Sequence, residues 1–177
     1  MAKLWNLPVI FVIENNRYAF GTPIESVSAN HDFYNRGCCH LIPGFDVDGH
    51  DIFHVMEATK FAKEFVLKNG PIIMEAHTYR YHGHSMSDPG TSYRSREEVA
   101  QVRKEKDPIN KLKKVMLDKK IATKEELKKI EKDAKKRLVD AVKNARAMPF
   151  PELKEIKTSV YLDNEKHFIR GCEYDDS

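Results

Sequence analysis

Residues 45–76 read FDVDGHDIFHVMEATKFAKEFVLKNGPIIMEA, and this stretch decides the fold. Phe45 to Gly49 is a short strand ending in a turn. Asp51 can cap a helix, because its carboxylate can accept from the free N–H groups of the first turn. Ile52, Val55, Met56, Thr59, Ala62, Phe65 and Val66 then recur on one helical face. Asn69-Gly70-Pro71 carries the usual stop chemistry, and Pro71 to Ala76 is a second strand. Together they form one βαβ unit, which predicts parallel strands joined by a right-handed crossover.

Working outward, Pro8 precedes Val9-Ile10-Phe11-Val12-Ile13, a β-branched and aromatic run without alternation. Such a run suits a strand buried on both faces of a parallel sheet. Asn15-Asn16 breaks it. On the other side of the unit the chain turns helical. Ser95-Arg96-Glu97-Glu98 is a capping box. Asp107-Pro108 is an N-cap followed by proline at the first helical position. Thr123-Lys124-Glu125-Glu126 opens a long helix with Leu127, Ile130, Ala134, Leu138, Ala141, Val142 and Ala145 on one face. Pro149 and Pro151 end it. Ile156 to Tyr161 reads as a strand and Glu173 to Ser177 as a frayed tail. The predicted class is α/β: an incomplete parallel sheet followed by a helical C-terminal region, with the division at residues 1–93 and 94–177.

Composition narrows the function. The 177 residues carry 30 Lys+Arg against 27 Asp+Glu, a net charge of +3 that leaves no strong footprint for nucleic acid or membrane. Between Arg94 and Arg146 there are 19 Lys+Arg and 10 Asp+Glu, so this stretch carries a surplus of nine positive charges and the rest a deficit of six. The surplus reads as a solvated helical face laced with Glu/Lys pairs, since no aromatic residues are interleaved for base stacking. Three cysteines make no disulfide framework, and the longest apolar run is too short to span a bilayer. Residues 1–8 show neither a cleavable apolar signal nor a Ser- and Arg-rich transit pattern. The strand pattern begins almost at once, from which we expect a missing segment before Met1.

In open α/β sheets ligands bind beyond the carboxyl ends of the strands. Two loops fall there if the first and third strands are parallel neighbours. One is Glu14 to Thr22, whose Asn side chains and backbone carbonyls are neutral oxygens suited to Mg²⁺. The same Asn pair also suits an ordinary Asx turn. The other is Thr78 to Gly90, with two His, an Arg, two Tyr, two Ser and an Asp between Thr78 and Asp88. His82 and His84 share a face if the loop is extended. Cys38, Cys39 and Cys172 supply no CxxC to complete a zinc site, so anion contact by His and Arg is the better reading. Its Gly, Pro and Ser content reads as mobile.

Glu14-Asn-Asn-Arg-Tyr18, Phe20-Gly-Thr22, Arg36-Gly37, Ile42-Pro-Gly44, Val47-Asp-Gly49 and above all Thr78-Tyr-Arg-Tyr-His-Gly-His-Ser-Met-Ser-Asp-Pro-Gly90 resemble the alpha subunits of thiamine-diphosphate-dependent 2-oxo acid dehydrogenases, the pyruvate dehydrogenase type in particular. Ser92-Tyr-Arg94, Arg96-Glu-Glu98 and Asp107-Pro-Ile109 follow in the same order, so the resemblance covers essentially the whole chain. Branched-chain 2-oxo acid and acetoin dehydrogenases are the alternatives within the family. The resemblance implies the thiamine-diphosphate-binding type of sheet. It also implies oxidative decarboxylation of pyruvate, with transfer of the acetyl group to a lipoyl carrier.

By resemblance, thiamine diphosphate and Mg²⁺ are the cofactors. The Asn16 side chain and the Tyr18 carbonyl would coordinate the metal, Ala19 would lie along the cofactor, and His84 would contact the diphosphate as the catalytic-site histidine. The family's metal motif begins with Gly-Asp-Gly, and we expect that half before Met1. Implied partners are a beta subunit in an alpha2beta2 heterotetramer, a lipoyl-bearing acetyltransferase component, and a regulatory kinase and phosphatase. The implied compartment is the mitochondrial matrix, without a targeting segment in this chain. Ser85 and Ser92 match the family's phosphoacceptor positions, while a third such position is Pro23 here. A phosphate on Ser85 would bring about −1.5 to −2 charge beside His84 and the anionic diphosphate.

Two departures stand out. Arg36 to Pro43 reads about two residues longer than the family loop and carries Cys38-Cys39, which nothing in the sequence explains. The tail after Gly171 is short or divergent. The resulting expectation is a chain inactive by itself, with an apolar sheet edge or face left open. The alternative of another class is a non-catalytic subunit-interaction module or phosphoacceptor.

Overall fold

The computed structural model describes residues 1–153 and residue 155. The expected strand at Ile156–Tyr161, Cys172 and the tail lie outside the described residues. Residues 1–123 form one compact unit. Its elements are β1 (Ile10–Asn15), β2 (Tyr18–Ala19), β3 (Thr22–Pro23), α1 (Ile24–Val27), a 3₁₀ helix (Phe33–His40), β4 (Gly44–Asp48), α2 (Ile52–Asn69), β5 (Ile72–His77), α3 (Arg96–Lys106) and α4 (Pro108–Asp118).

The βαβ reading holds. β4 and β5 are parallel neighbours joined through α2, and β1 lies parallel on the other side of β5, giving the order β1-β5-β4. Asp51 accepts from the N–H groups of Phe53 and His54, as its cap position requires, and Gly70 ends α2 at φ 83°. Ala62 and Val66 pack on Ile72, with Ile10, Phe45 and Phe65 around them. Burying Val66 and Ile72 contributes roughly 1.5–3 kcal/mol each. The opposite sheet face meets the 3₁₀ helix. Gly37 and Gly44 permit that contact, since a Cβ on Gly44 would stand 2.1 Å from the Tyr34 carbonyl oxygen.

One expectation is corrected, the burial of β1, and the expected open apolar face is found on α2. β1 is not buried on both faces: Phe11 and Val12 are exposed, because β1 is the outer strand and has one neighbour among the described residues. The apolar face of α2 is only partly covered. Ile52, Met56 and Thr59 are exposed, as a three-stranded sheet underlies only part of the helix's apolar arc. Phe53, Phe61 and Leu67 widen the open flank. The incomplete sheet itself is as expected.

α3 and α4 start at the expected caps. The Ser95 hydroxyl accepts from Glu98 N–H at 3.0 Å, and Asp107 accepts from Ile109 and Asn110. The Glu98 side chain accepts instead from the Tyr79 hydroxyl at 2.8 Å, tying α3 to the loop after β5. Burial, then this hydrogen bond, push the Tyr79 phenol up to about 12.

α5 (Lys124–Ala147) belongs to the second unit, which begins at Lys124. Glu125 and Glu126 in its first turn and Arg146 in its last complement the helix dipole. None of its residues is buried, and Ile130, Leu138 and Val142 of the expected apolar stripe are exposed. No described helix is long and apolar enough to cross a membrane.

Candidate functional site

The register fixes where the two loops begin. Asn15 lies opposite His77 on β5, and His77 opposite Asp48 on β4, so all three strands finish at one edge. The Thr78 amide donates to the Asn15 carbonyl at 2.9 Å, extending the pairing into both loops. The loops after β1 and β5 are therefore neighbours, as parallel pairing requires.

The first loop is built from two consecutive Asx turns. Asn15 Oδ1 accepts from Arg17 N–H at 3.0 Å, and Asn16 Oδ1 accepts from Tyr18 N–H at 3.1 Å. Arg17 sits at φ 71° and Phe20 at φ 57°, left-handed conformations unfavourable for both residue types. Arg17 is held there by its own hydrogen bonds, by Ile24 N–H on its carbonyl, and by an ion pair with Glu25. β2 and β3 form a small antiparallel hairpin in which Tyr18 faces Pro23. With Ile24 N–H on the Arg17 carbonyl, Tyr18–Pro23 is a non-hydrogen-bonded pair of this ladder, where the missing N–H of Pro23 costs nothing. Beside this turn lies an open hollow of about 170 Å³, lined among others by Asn15, Asn16, Tyr18, Ala19 and Phe33.

These donors suit a hard cation. Asn16 Oδ1 has two lone pairs and spends one on Tyr18 N–H. With the Tyr18 carbonyl it offers two neutral oxygens on one turn, appropriate to Mg²⁺, which keeps waters and shares its coordination with phosphate. Among the described residues no group of three or more His, Cys, Asp or Glu is placed to hold a metal.

The second loop is fastened rather than extended. Residues 82–87 bend, so His82 and His84 do not follow a strand. Asp88 is the hub: its carboxylate accepts from His84 N–H at 2.7 Å, Gly90 N–H at 2.8 Å and the Tyr93 hydroxyl at 2.7 Å. The His84 amide first, then Tyr93, Gly90 and Arg80, hold this carboxyl below the usual range against the opposing effect of burial. Gly83 makes the bend possible, since a Cβ there would lie 1.8 Å from the Asp88 carbonyl oxygen.

Two arginines complete the framework. Arg94 is 4% exposed and lies between the rings of Tyr18, Tyr79 and Tyr93 at 5.1 to 5.3 Å. It donates to the Arg80 carbonyl and, at 3.1 Å, to the His82 carbonyl. Arg80 donates to the Phe20 carbonyl and, at 2.9 Å, to the Tyr93 hydroxyl. The loops also touch through rings: Phe20 meets His84 edge-on at 5.4 Å, and Tyr18 meets Tyr93 at 5.4 Å.

Asn16, Tyr18, Ala19 and His84 are thus brought to one edge. Ser85 and Ser92 are exposed on the second loop, and Ser85 Oγ lies 3.0 Å from Ser87 Oγ. Cys38 and Cys39 lie exposed on the 3₁₀ helix. Sequence reading passed over Glu75, Arg80, Asp88, Tyr93 and Arg94 as organisers of the edge. Glu75 gave a signal as a carboxylate between the apolar Ile72-Ile73-Met74 and Ala76, and Arg80 and Asp88 stood out only as members of the second loop, Arg80 as an anion contact that the structure instead spends on the Phe20 carbonyl and Tyr93.

The chain is an α/β protein with a parallel sheet whose carboxyl edge gathers two loops, the place where open α/β sheets bind their ligands. The chain belongs to the Dehydrogenase E1 component family, whose profile matches residues 1–154. It is 49% identical over 175 residues to the mitochondrial pyruvate dehydrogenase E1 component subunit alpha of Dictyostelium discoideum, covering 98% of this chain and 45% of that protein. The somatic, mitochondrial form of the same subunit in Bos taurus is 50% identical, over 97% of this chain and 44% of its own length. Subunit alpha-1 of Arabidopsis thaliana is 48% identical, over 92% and 41%. The chain spans less than half the length of these relatives.

Proposed function

We propose that these residues form one half of the thiamine diphosphate site of a pyruvate dehydrogenase alpha subunit. In it, Asn16 Oδ1 and the Tyr18 carbonyl face Mg²⁺, and Ala19 borders the cofactor. His84 carries the positive or hydrogen-bonding contact to the diphosphate. When bound, thiamine diphosphate supplies the electron sink for decarboxylation of a 2-oxo acid. The chain's own contribution is placement: the Asx turns orient the oxygens, and Asp88 and Arg94 hold the His84 loop against them. The observation that carries this reading is the β1–β5 pairing, with Phe20 against His84 at 5.4 Å across the two loops.

The reaction on this reading is oxidative decarboxylation of pyruvate with acetyl transfer to a lipoyl carrier. It takes place in an alpha2beta2 assembly in the mitochondrial matrix, served by a lipoyl-bearing acetyltransferase component. Residues 1–177 alone do not turn over pyruvate. On this reading residues 1–93 carry the chain's part of the cofactor-binding domain, and the residues from 94 onward are the C-terminal region of the same subunit. Ser85 and Ser92 serve as phosphoacceptors for a regulatory kinase and phosphatase. Phosphate at Ser85 would put negative charge next to His84 and against the diphosphate.

The test is substrate turnover by the assembled enzyme with pyruvate and with branched 2-oxo acids. Preference for pyruvate, lost together with cofactor affinity in His84→Ala, is the expected result. Equal or better use of a branched substrate would move the chain to the sister enzymes, and unchanged cofactor affinity in His84→Ala would remove His84 from the site.

A further inference from the structure

We propose that Glu75 is a positioning residue for the Asn15-Asn16 turn, a carboxylate on the central strand that sets the cofactor-facing oxygens; the inference rests on the reading of Asn16 and Tyr18 given above. Glu75 is 0% exposed and sits in a strand otherwise filled by Ile72, Ile73, Met74 and Ala76. Its Oε1 accepts from Asn15 Nδ2 at 2.6 Å and its Oε2 from Tyr34 N–H at 2.7 Å. One side chain thus joins the central strand, the end of β1 and the 3₁₀ helix. His77 lies 4.0 Å away and continues to Asp46 at 3.2 Å.

A buried carboxylate is costly unless fully hydrogen-bonded, and an apolar side chain of similar volume often packs as well. Packing alone therefore gives no reason for a carboxylate here. Orientation does. With its amide nitrogen bound to Glu75, Asn15 must present Oδ1 to Arg17 N–H. That bond closes the first Asx turn and sets Arg17 at φ 71°, from which the second turn places Asn16 Oδ1 on Tyr18 N–H. Through Tyr34, Glu75 also fixes the segment that brings Phe33 to the same hollow.

The experiment uses the assembled enzyme and Mn²⁺ as probe, its free ion counted by paramagnetic resonance with thiamine diphosphate present. Glu75→Gln keeps one acceptor but turns an NH₂ toward a donor. It is expected to weaken Mn²⁺ binding about 10- to 100-fold, the usual cost of losing a residue that orients a ligand, with the KM for pyruvate little changed. The double variant Asn15→Asp/Glu75→Gln reverses the polarity of the link and is expected to recover most of the affinity. A role in stability alone would lower the melting temperature and leave the affinity of the folded protein intact. Normal Mn²⁺ affinity in Glu75→Gln, with weakened affinity in Asn16→Ala, would overturn the positioning role and spare the site assignment. Normal affinity in Asn16→Ala would overturn both. Should Glu75→Gln not fold, the double variant decides, and its failure to recover Mn²⁺ binding counts against the proposal.

Discussion

β5 and β1 pair residue for residue and read almost alike, Ile72-Ile73-Met74 against Ile10-Phe11-Val12. Yet the three β5 residues are buried, while Phe11 and Val12 of β1 are exposed. Composition does not separate them; neighbours do. β5 has a strand on each side, α2 on one face and the 3₁₀ helix on the other, whereas β1 has one strand neighbour among the described residues and meets α2 only in part, through Ile10. A continuous apolar run reports the burial a strand is made for, and the difference between the two strands marks where this chain stops providing it.

The largest effect should come from the covered strand. Ile72→Ala is expected to cost about 3 kcal/mol in urea unfolding, from lost burial plus an unfilled cavity. Loss of under 1 kcal/mol would mean that β5 is no more covered than β1. Next is Arg94→Ala, which strands the carbonyls of Arg80 and His82 and should cost about 2 kcal/mol. Faster amide exchange confined to residues 80–94 would accompany it.

The same loop should answer to pH without mutation. Asp88 has its carboxyl lowered below its ordinary 3.8, first by the His84 amide. A depressed acid lends its stability above the ordinary value and loses it as the pH falls through the folded-state value. The His84 amide resonance should therefore hold steady from neutral pH down to about 4 and shift below it. A shift centred on the histidine range would contradict the Asp88 hub. The smallest effect belongs to the open strand: Val12→Thr should change the stability of this chain by no more than about 0.5 kcal/mol. A larger loss would show that the outer face is covered after all.

Much of the fold was legible because its signals are local. Asp51, Ser95 and Asp107 cap helices where short-range hydrogen bonding demands it, and the βαβ unit follows from Phe45 to Ala76. The candidate site was legible as two loops, and Asn16 and His84 arrive at one edge because parallel pairing puts them there. The framework between them was not. Arg80 reaches Phe20 across 60 positions, and Glu75 reaches Asn15 across 60 and Tyr34 across 41. Such contacts have no periodicity or spacing to betray them. An open apolar edge or face was expected, but which residues lie open, Phe11, Met56 and Leu138 among them, was not legible, since a pattern shows that a face is apolar and not what lies against it.

The central claim is that the loops after β1 and β5 are one half of a cofactor site and need another half. Equilibrium binding of thiamine diphosphate tests it most directly. Residues 1–177 are measured alone, then with a polypeptide supplying the Gly-Asp-Gly half and with a beta subunit, each with and without Mg²⁺. The expected result is weak or no binding by the chain alone and Mg²⁺-dependent binding in the mixture, lost with Asn16→Ala. Tight binding by the chain alone, or Mg²⁺-dependent binding indifferent to Asn16, would contradict it.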